Sequence, residues 1–450
     1  MPSLPNYDED LHQAVSAWFL GPRAENFGYL QQVLNTILVE QAQARNGYYP
    51  QDPKFITKEM QESPAFERQI MKLSVGVQAL AQRLAQHHVP FWNPRYNGHM
   101  TNDTTLPGIA GYLTGMLFNP NNVAAEASPL TTWLEMKVGQ ELCEMVKYNT
   151  DPQNKDEPQA WGHITCDGTI ANLESIWAAR NLKFYPLSLL LAMERGSLGF
   201  LLNKFHVQTC EGTSKLLRDF TTWELLNIVP YEVLAIPDRL YTSLSEKTLL
   251  CLNNGSDVNI LTGAAITGIG SENLINIKVD DGAHMAIGHL EDELNKCLYA
   301  NPPCTVYTVV AIIGSTEHGA CDPLGDIVKL REKFRKKGLS FVLHADGAWG
   351  TYFSTTLEQE GFRNGPDEEH HFVPSIALKP KTIESLRNLR FCDSITIDPH
   401  KSGYIQYPSG GLLYRDQRMR YLVTWTSPVV NRQGEESIGV YGIEGRQVEL

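Results

Sequence analysis

Residues 306–346 decide the fold class; they read VYTVVAIIGSTEHGACDPLGDIVKLREKFRKKGLSFVLHAD. Two apolar runs of strand length, 306–314 and 340–346, enclose an amphipathic run with helical spacing at 324–338. A strand, a helix and a second strand in this order are typical of a βαβ unit, in which the two strands are parallel. We therefore predict an α/β fold built on a mostly parallel sheet.

The same alternation extends outward from this unit over the chain from about residue 160. Further strand-like runs are WGHITC (161–166), NLINIKV (273–279), SITID (394–398) and GGLLYRDQRMRYLV (410–423), the last turning into a helix or hairpin; helical patterns lie at about 170–182 and at 289–300. Earlier in the chain, apolar residues recur at helical spacing after Asn26 and again over 60–88. This pattern predicts an N-terminal arm of helices.

The composition excludes several classes of partner. The 450 residues carry 38 Lys+Arg against 51 Asp+Glu, a formal net charge of −13, so we expect no nucleic-acid partner.

The start of the chain, MPSLPNYDED, lacks a basic stretch followed by an apolar run, and the longest uncharged stretch, 104–125, is broken by prolines and glycines. We therefore expect a cytoplasmic protein without membrane segments. Eight cysteines without a C-x-x-C pair predict buried free thiols.

Unusual polar residues follow the predicted strands, at the sheet edge where open α/β folds bind ligands. After the run 161–166, Gly168 and Thr169 begin a helix whose N–H groups could hold an anion, or could form an ordinary helix start. Asp346 ends a buried run, where a carboxylate needs a cationic or hydrogen-bonding partner unless it caps the next turn. Lys401 follows another buried run within DPHKSG, which favours an inward position over a solvated one.

Ser315 and Thr316 add a hydroxyl pair at the end of the run 306–314. A buried Asp, a buried Lys, a Gly-Thr helix start and a hydroxyl pair together match the needs of pyridoxal phosphate. The lysine amine can form a Schiff base, the carboxylate can keep the pyridine nitrogen protonated, and the helix start can bind the phosphate. The sequence therefore predicts a pyridoxal-phosphate site.

The chain resembles the group II pyridoxal-phosphate-dependent amino-acid decarboxylases, most of all the microbial tyrosine-decarboxylating type, from about residue 15 to about residue 445. The matching segments are 96–100, 121–129, 162–172, 314–322, 344–350 and 394–404. The resemblance implies a fold type I, aspartate aminotransferase-like architecture. It also implies a helical N-terminal arm at 1–95, a cofactor-binding large α/β domain at 96–425, and a mobile loop with the start of a truncated C-terminal small domain at 426–450.

The resemblance also implies roles for individual residues and an activity. Lys401 would form the Schiff base and Asp346 would pair with the pyridine nitrogen. Phosphate contacts are implied for Gly168, Thr169 and His400, a ring-hydroxyl contact for Ser315 or Thr316, a ring-face contact for Ala348, and a substrate contact for His99. The implied reaction is decarboxylation of an aromatic L-amino acid of the tyrosine type to the amine and CO2. A homodimer with exchanged N-terminal helices is expected.

Three departures from the family leave two alternatives open. Asp257 stands where relatives carry a histidine that stacks on the cofactor, Val429 stands where they carry a loop tyrosine that returns a proton, and the chain ends at Leu450 where they continue. One alternative is an aldehyde-forming oxidative decarboxylase that uses the same cofactor. The other is a catalytically impaired paralogue that acts only as a partner subunit.

Overall fold

The computed structural model describes residues 9–96, 98, 100–122, 125, 127–196, 198–243, 273–357 and 378–423. These residues divide into two compact units, one formed by Glu9–Phe118 and one by the described residues from Asn119 onward. Within the described ranges, no helix combines the length and the hydropathy that a membrane span requires.

The first unit is helical, as the apolar spacing predicts. Its helices are α1 (Glu9–Ser16), α2 (Phe27–Tyr48), α3 (Lys58–Gln61), α4 (Pro64–His87) and α5 (Leu106–Phe118). Helix α4 has a strong start, because the Ser63 side chain accepts a hydrogen bond from the Phe66 N–H and Pro64 occupies the first turn. The Gln41 side chain donates to the Leu117 carbonyl at 3.2 Å and ties α2 to α5.

The second unit contains the α/β region. Its helices are α6 (Pro129–Met145), α7 (Gly168–Arg195), α8 (Thr222–Leu226), α9 (Pro230–Leu234), α10 (Ile236–Ser243), α11 (Ile287–Tyr299), α12 (Leu324–Arg335) and α13 (Pro380–Asn388). Its strands are β1 (Trp161–Thr165), β2 (His206–Gln208), β3 (Ser214–Leu216), β4 (Thr308–Ile312), β5 (Val342–Asp346), β6 (Ser394–Ile397) and β7 (Gly410–Tyr414). Short 3-10 helices lie at Gly199–Leu201, Leu217–Asp219, Thr351–Leu357, Leu389–Phe391 and Gln417–Leu422.

Five of these strands form one sheet in the order β1-β7-β6-β5-β4, and β2 pairs with β3 separately. Strands β4, β5 and β6 are parallel neighbours, whereas β7 runs antiparallel to both β6 and β1. Consequently β1, β4, β5 and β6 all point the same way and end at one edge of the sheet. The prediction of a mostly parallel α/β sheet is confirmed.

The sheet is buried on both faces, which explains the unbroken apolar runs in its sequence. Every residue of β6 and β7 is buried. Val342 and Leu412 pack with α7 on one face, while their neighbours Leu343 and Leu413 pack with α12 on the other.

Two sequence predictions need correction. The run 273–279 is not a strand, because only Val279 makes an isolated bridge, to Met285, and Ile275 and Val279 are 51% and 62% exposed. The seven described cysteines are free thiols, as expected, but only Cys143, Cys210 and Cys392 are buried.

Candidate active site

The shared direction of β1, β5 and β6 brings three predicted polar segments to one edge of the sheet. The Asp398 N–H after β6 donates to the Ala348 carbonyl after β5 at 3.0 Å. A Cβ atom added to Gly168, after β1, would lie 2.7 Å from Asp398 Oδ2. The residues after these strands therefore form one cluster.

Asp346 closes β5 with both carboxylate oxygens accepting hydrogen bonds. Asn172 Nδ2 donates to Asp346 Oδ2 at 2.8 Å, and the Ala348 N–H donates to Oδ1 at 3.2 Å. Two N–H donors, one to each oxygen, fix the orientation of the carboxylate. In this orientation Asp346 can accept a further hydrogen bond from an N–H group.

His344 stands behind this pair and is fully buried. Its Nε2 lies 2.8 Å from Asn172 Oδ1, and its Nδ1 lies 2.9 Å from the hydroxyls of Ser175 and Ser394. Burial lowers the pKa of His344 to about 4, so the ring is neutral at physiological pH. Since an amide oxygen only accepts, Nε2 carries the proton and Nδ1 accepts from a serine hydroxyl.

Lys401 lies at the end of the segment that follows β6. Its Nζ is 3.0 Å from Asp398 Oδ2, with the lysine side chain 24% exposed and the Asp398 side chain 2% exposed. Burial raises the pKa of Asp398 to about 7, and the Lys401 ammonium opposes this shift. Within the described residues, Asp398 Oδ1 has no hydrogen-bond partner although it is buried. A group with a donor or an acceptor could therefore be bound beside it.

His400 links the Lys401 segment to the beginning of β7. Its Nδ1–H donates to the Ser409 carbonyl, and its ring edge packs on Tyr407 with the centroids 4.3 Å apart. Burial lowers the pKa of His400, which favours the neutral ring. Its Nε2 is 3.8 Å from Asp398 Oδ2 and so faces the same cluster.

The N-terminus of α7 faces the cluster with two unused amides. The Asp167 side chain caps the Ile170 N–H at 2.9 Å. The N–H groups of Gly168 and Thr169 donate to no acceptor in the part of the chain that the structure describes. Such groups, together with the positive end of the helix dipole, form a site for an anion such as phosphate.

Ser315 and Thr316 lie in a tight turn after β4. Gly314 begins the turn at φ +91°, a conformation that favours glycine, and the Ala320 N–H donates to Ser315 Oγ at 3.1 Å. Thr316 is exposed. A Cβ atom at Gly314 would lie 2.7 Å from the Trp349 ring, so this turn packs against the segment after β5.

Some of the predicted positions lie outside the described residues. They are His99, Asp257, Val429 and the segment 426–450.

Comparison with known proteins gives close relatives over nearly the whole chain. This chain is 32% identical to the L-tyrosine decarboxylase of Levilactobacillus brevis, over 96% of this chain and 68% of that protein. The chain belongs to the group II pyridoxal-phosphate-dependent amino-acid decarboxylases. It is also 29% identical to the L-tyrosine decarboxylase of Enterococcus faecalis (strain ATCC 700802 / V583), over 96% of this chain and 69% of that protein. No family model matches the chain.

A solved structure supports the fold of this chain. The Oryza sativa TDC structure with PLP and tryptamine superimposes with a TM-score of 0.51 at 15% identity, over 99% of this chain and 74% of that chain. The fold of this decarboxylase is therefore the fold type I architecture that the sequence predicted.

The residues at the sheet edge fit pyridoxal phosphate, the cofactor of the family. A strand-end carboxylate with two N–H donors, a lysine amine on the neighbouring strand's extension, and two helix-start amides that have no acceptor among the described residues would supply the three contacts that this cofactor needs. The small Gly168 also leaves room that a side chain would fill against Asp398.

Sequence reasoning missed three residues of the site. Asn172 donates to Asp346 and is bound in turn by His344, and Asp398 pairs with Lys401. Spacing could have indicated Asn172, since it lies four residues after Gly168 and shares its helix face. No local pattern indicates that His344 and Asn172 meet, because they are 172 residues apart in the chain.

Proposed function

We propose that this decarboxylase acts on an aromatic L-amino acid, with L-tyrosine as the first substrate to test, and releases the amine and CO2. Its relatives from Levilactobacillus brevis and Enterococcus faecalis are L-tyrosine decarboxylases. The observation that carries the proposal is a carboxylate and an amine at the ends of two neighbouring parallel strands. The carboxylate is that of Asp346 on β5, and the amine is that of Lys401 after β6.

Bound pyridoxal phosphate supplies a conjugated ring that withdraws electrons from the reacting carbon. Lys401 would hold the cofactor through its amine, and Asp346, oriented by the donors Asn172 and Ala348, would accept from the protonated ring nitrogen. Asp398, whose pKa burial raises to about 7, exchanges a proton with the Lys401 amine beside it. The remaining cofactor contacts are Gly168, Thr169 and His400 at the phosphate, Ser315 or Thr316 at the ring hydroxyl and Ala348 at the ring face, with His99 at the substrate.

The assembly that we propose is a cytoplasmic homodimer, with a helical arm at 1–95, a cofactor domain at 96–425 and the start of a small domain at 426–450. Free thiols at the described cysteines agree with a reducing compartment.

No described side chain of α2 or α4 is buried. Helix α4 carries an apolar stripe with coiled-coil spacing, Ile70, Leu73, Val77, Leu80 and Leu84, and each member is at least 48% exposed. A second copy of the chain would cover this stripe.

Trapping the cofactor tests the site and the reaction together. The full chain, loaded with pyridoxal phosphate, is reduced with borohydride and mapped by peptide mass spectrometry, and the unreduced enzyme is assayed with L-tyrosine. We expect a reduced adduct on Lys401 and release of the amine, both abolished in Lys401→Ala. The matched control is Lys296→Ala, which removes a lysine that is 69% exposed and should change neither result.

Two results would contradict the proposal. A folded wild-type chain without an adduct on Lys401 would exclude the assigned site. An aldehyde formed with hydrogen peroxide and ammonia, in place of the amine, would support the oxidative alternative.

A further inference from the structure

A chain of buried hydrogen bonds lies behind Asp346 and has no assigned part in the reaction. Asn172, 7% exposed on the first turns of α7, touches Asp346 with one end of its amide and His344 with the other. Thr396 on β6 donates its hydroxyl to the same Asn172 Oδ1 at 2.6 Å. The amide therefore bridges one helix and two strands directly under the carboxylate.

Only one orientation of the Asn172 amide satisfies all of its neighbours. A flipped amide would turn Oδ1 toward the Asp346 carboxylate, where two acceptors would repel each other. In the orientation that donates to Asp346, Asn172 Oδ1 accepts a hydrogen bond from the Nε2–H of the neutral His344 ring, so both contacts fit the same orientation. At the other side of the ring, the hydroxyls of Ser175 and Ser394 satisfy Nδ1. The His344 Nε2–H thus donates to Asn172, and the Asn172 Nδ2–H donates to Asp346.

We propose that Asn172 is a positioning residue for the decarboxylase reaction: with its oxygen bound by His344, its Nδ2–H fixes the orientation of the Asp346 carboxylate toward the cofactor's ring nitrogen. This inference rests on the proposed role of Asp346. Among the described residues, the Asn172 amide and the Ala348 N–H each donate to one oxygen of Asp346, so both oxygens are held in place as acceptors.

Two variants separate positioning from packing. Asn172→Leu removes both ends of the bridge, and Asn172→Asp keeps its shape and its acceptor for His344 but loses the donor to Asp346. In the second variant an oxygen replaces the amide donor that lies 2.8 Å from Asp346 Oδ2, so the hydrogen bond that orients Asp346 is lost. In both we expect kcat to fall by about 10- to 100-fold, as loss of supporting hydrogen bonds does around metal ligands, with KM unchanged. We also expect a shifted absorption band of the bound cofactor.

The matched control is Asn181→Leu. It changes the same residue type on the same helix, where the side chain donates to the Leu422 carbonyl at 2.7 Å and has no link to Asp346. Its kcat and absorption band should equal those of the wild type. Circular dichroism verifies that all variants are folded. A packing role alone would spare the isosteric Asn172→Asp, and an unchanged kcat and band in that variant would overturn the proposal.

A measurement on histidine makes the network testable apart from activity. With 15N-labelled histidine, we expect a slowly exchanging Nε2–H proton on His344 in the wild-type chain, with or without pyridoxal phosphate, and its loss in Asn172→Leu. If the wild-type chain formed neither a Lys401 adduct nor amine, the proposed function would fail, while the His344 signal would still decide the network. A Nδ1–H tautomer in the wild type, or a signal indifferent to Asn172→Leu, would overturn the inference.

Discussion

At the residue scale, the buried Lys183 makes stability depend on pH. Its amine, 4% exposed on α7, donates to the carbonyls of Leu226, at 3.0 Å, and Ser340. Burial lowers its pKa to about 7, so the folded chain holds a neutral lysine above pH 7 while the unfolded chain stays protonated up to its ordinary pKa of 10.5. The unfolded state then binds the extra proton. We expect the free energy of unfolding to gain from this group as pH rises from 7 to 10, by at most about 1.4 kcal/mol per pH unit.

Lys183→Met isolates this contribution from other groups that titrate in the same range. Urea unfolding at several pH values between 7 and 10 should give a smaller rise of stability with pH in the variant than in the wild type. Lys204→Met, which replaces an exposed lysine, is the control and should follow the wild type. Equal slopes for wild type and Lys183→Met would mean that Lys183 is charged in the fold.

The sequence predicted Asp346 and Lys401 because each follows an apolar run, and burial of that run carries the next residue to the sheet edge. The sequence did not predict which side chains contact these two residues in the fold. Asn172 meets Asp346 across 174 positions of the chain, and only the fold defines that contact. Asp398 was in view as a neighbour of Lys401, but its proton affinity depends on how deeply the folded chain buries it.

At the scale of elements, α6 and β1 pack backbone to backbone through two glycines. A Cβ atom added to Gly162 would lie 2.4 Å from the Gly139 carbonyl oxygen and 2.9 Å from Leu413 Cδ2. Because a backbone carbonyl cannot turn aside as a side chain does, we expect Gly162→Ala to lower the free energy of unfolding by about 1–3 kcal/mol or more. Chemical denaturation measures the loss.

Gly288→Ala is the matched control for this substitution. Gly288 lies in the first turn of α11, and beyond its chain neighbours and the helix's own backbone no described atom lies within 4 Å of its added Cβ. In a helix, alanine is favoured over glycine by up to about 1 kcal/mol, so this variant should be as stable as the wild type or slightly more stable. A Gly162→Ala variant that is equally stable would show that α6 can move away from β1 at little cost.

The spacing of apolar residues predicted whether a segment is a helix or a strand better than it predicted where the segment begins and ends. The helix predicted at about 170–182 runs from Gly168 to Arg195, and Pro186 lies inside it without ending it. Pro186 is buried, as are Leu182, Leu189 and Leu190, so packing on the core sustains the helix past a residue that ends most helices. The strand predicted at 273–279 is absent for the opposite reason. Its residues Ile275 and Val279 are largely exposed, and its only strand pairing among the described residues is one isolated bridge.

At the scale of the whole molecule, the apolar stripe of α4 predicts self-association. Leu73 and Leu80 lie seven residues apart on the stripe and are 62% and 60% exposed. Burying one leucine is worth about 1.5–3 kcal/mol, and a twofold axis presents each position twice. Leu80→Glu should therefore weaken association of the proposed homodimer by roughly 3–6 kcal/mol, which analytical ultracentrifugation over a range of concentrations would measure.

The control for this prediction changes charge on the same helix without touching the stripe. Gln78→Glu places a carboxylate two positions before Leu80, on another side of α4. If association depends on the stripe, Gln78→Glu sediments as the wild type does while Leu80→Glu moves to the monomer. If both variants dissociate alike, general charge repulsion governs association. If the wild-type chain is itself a monomer at micromolar concentration, the exposed stripe must pack on something other than a second copy, and the homodimer proposal fails.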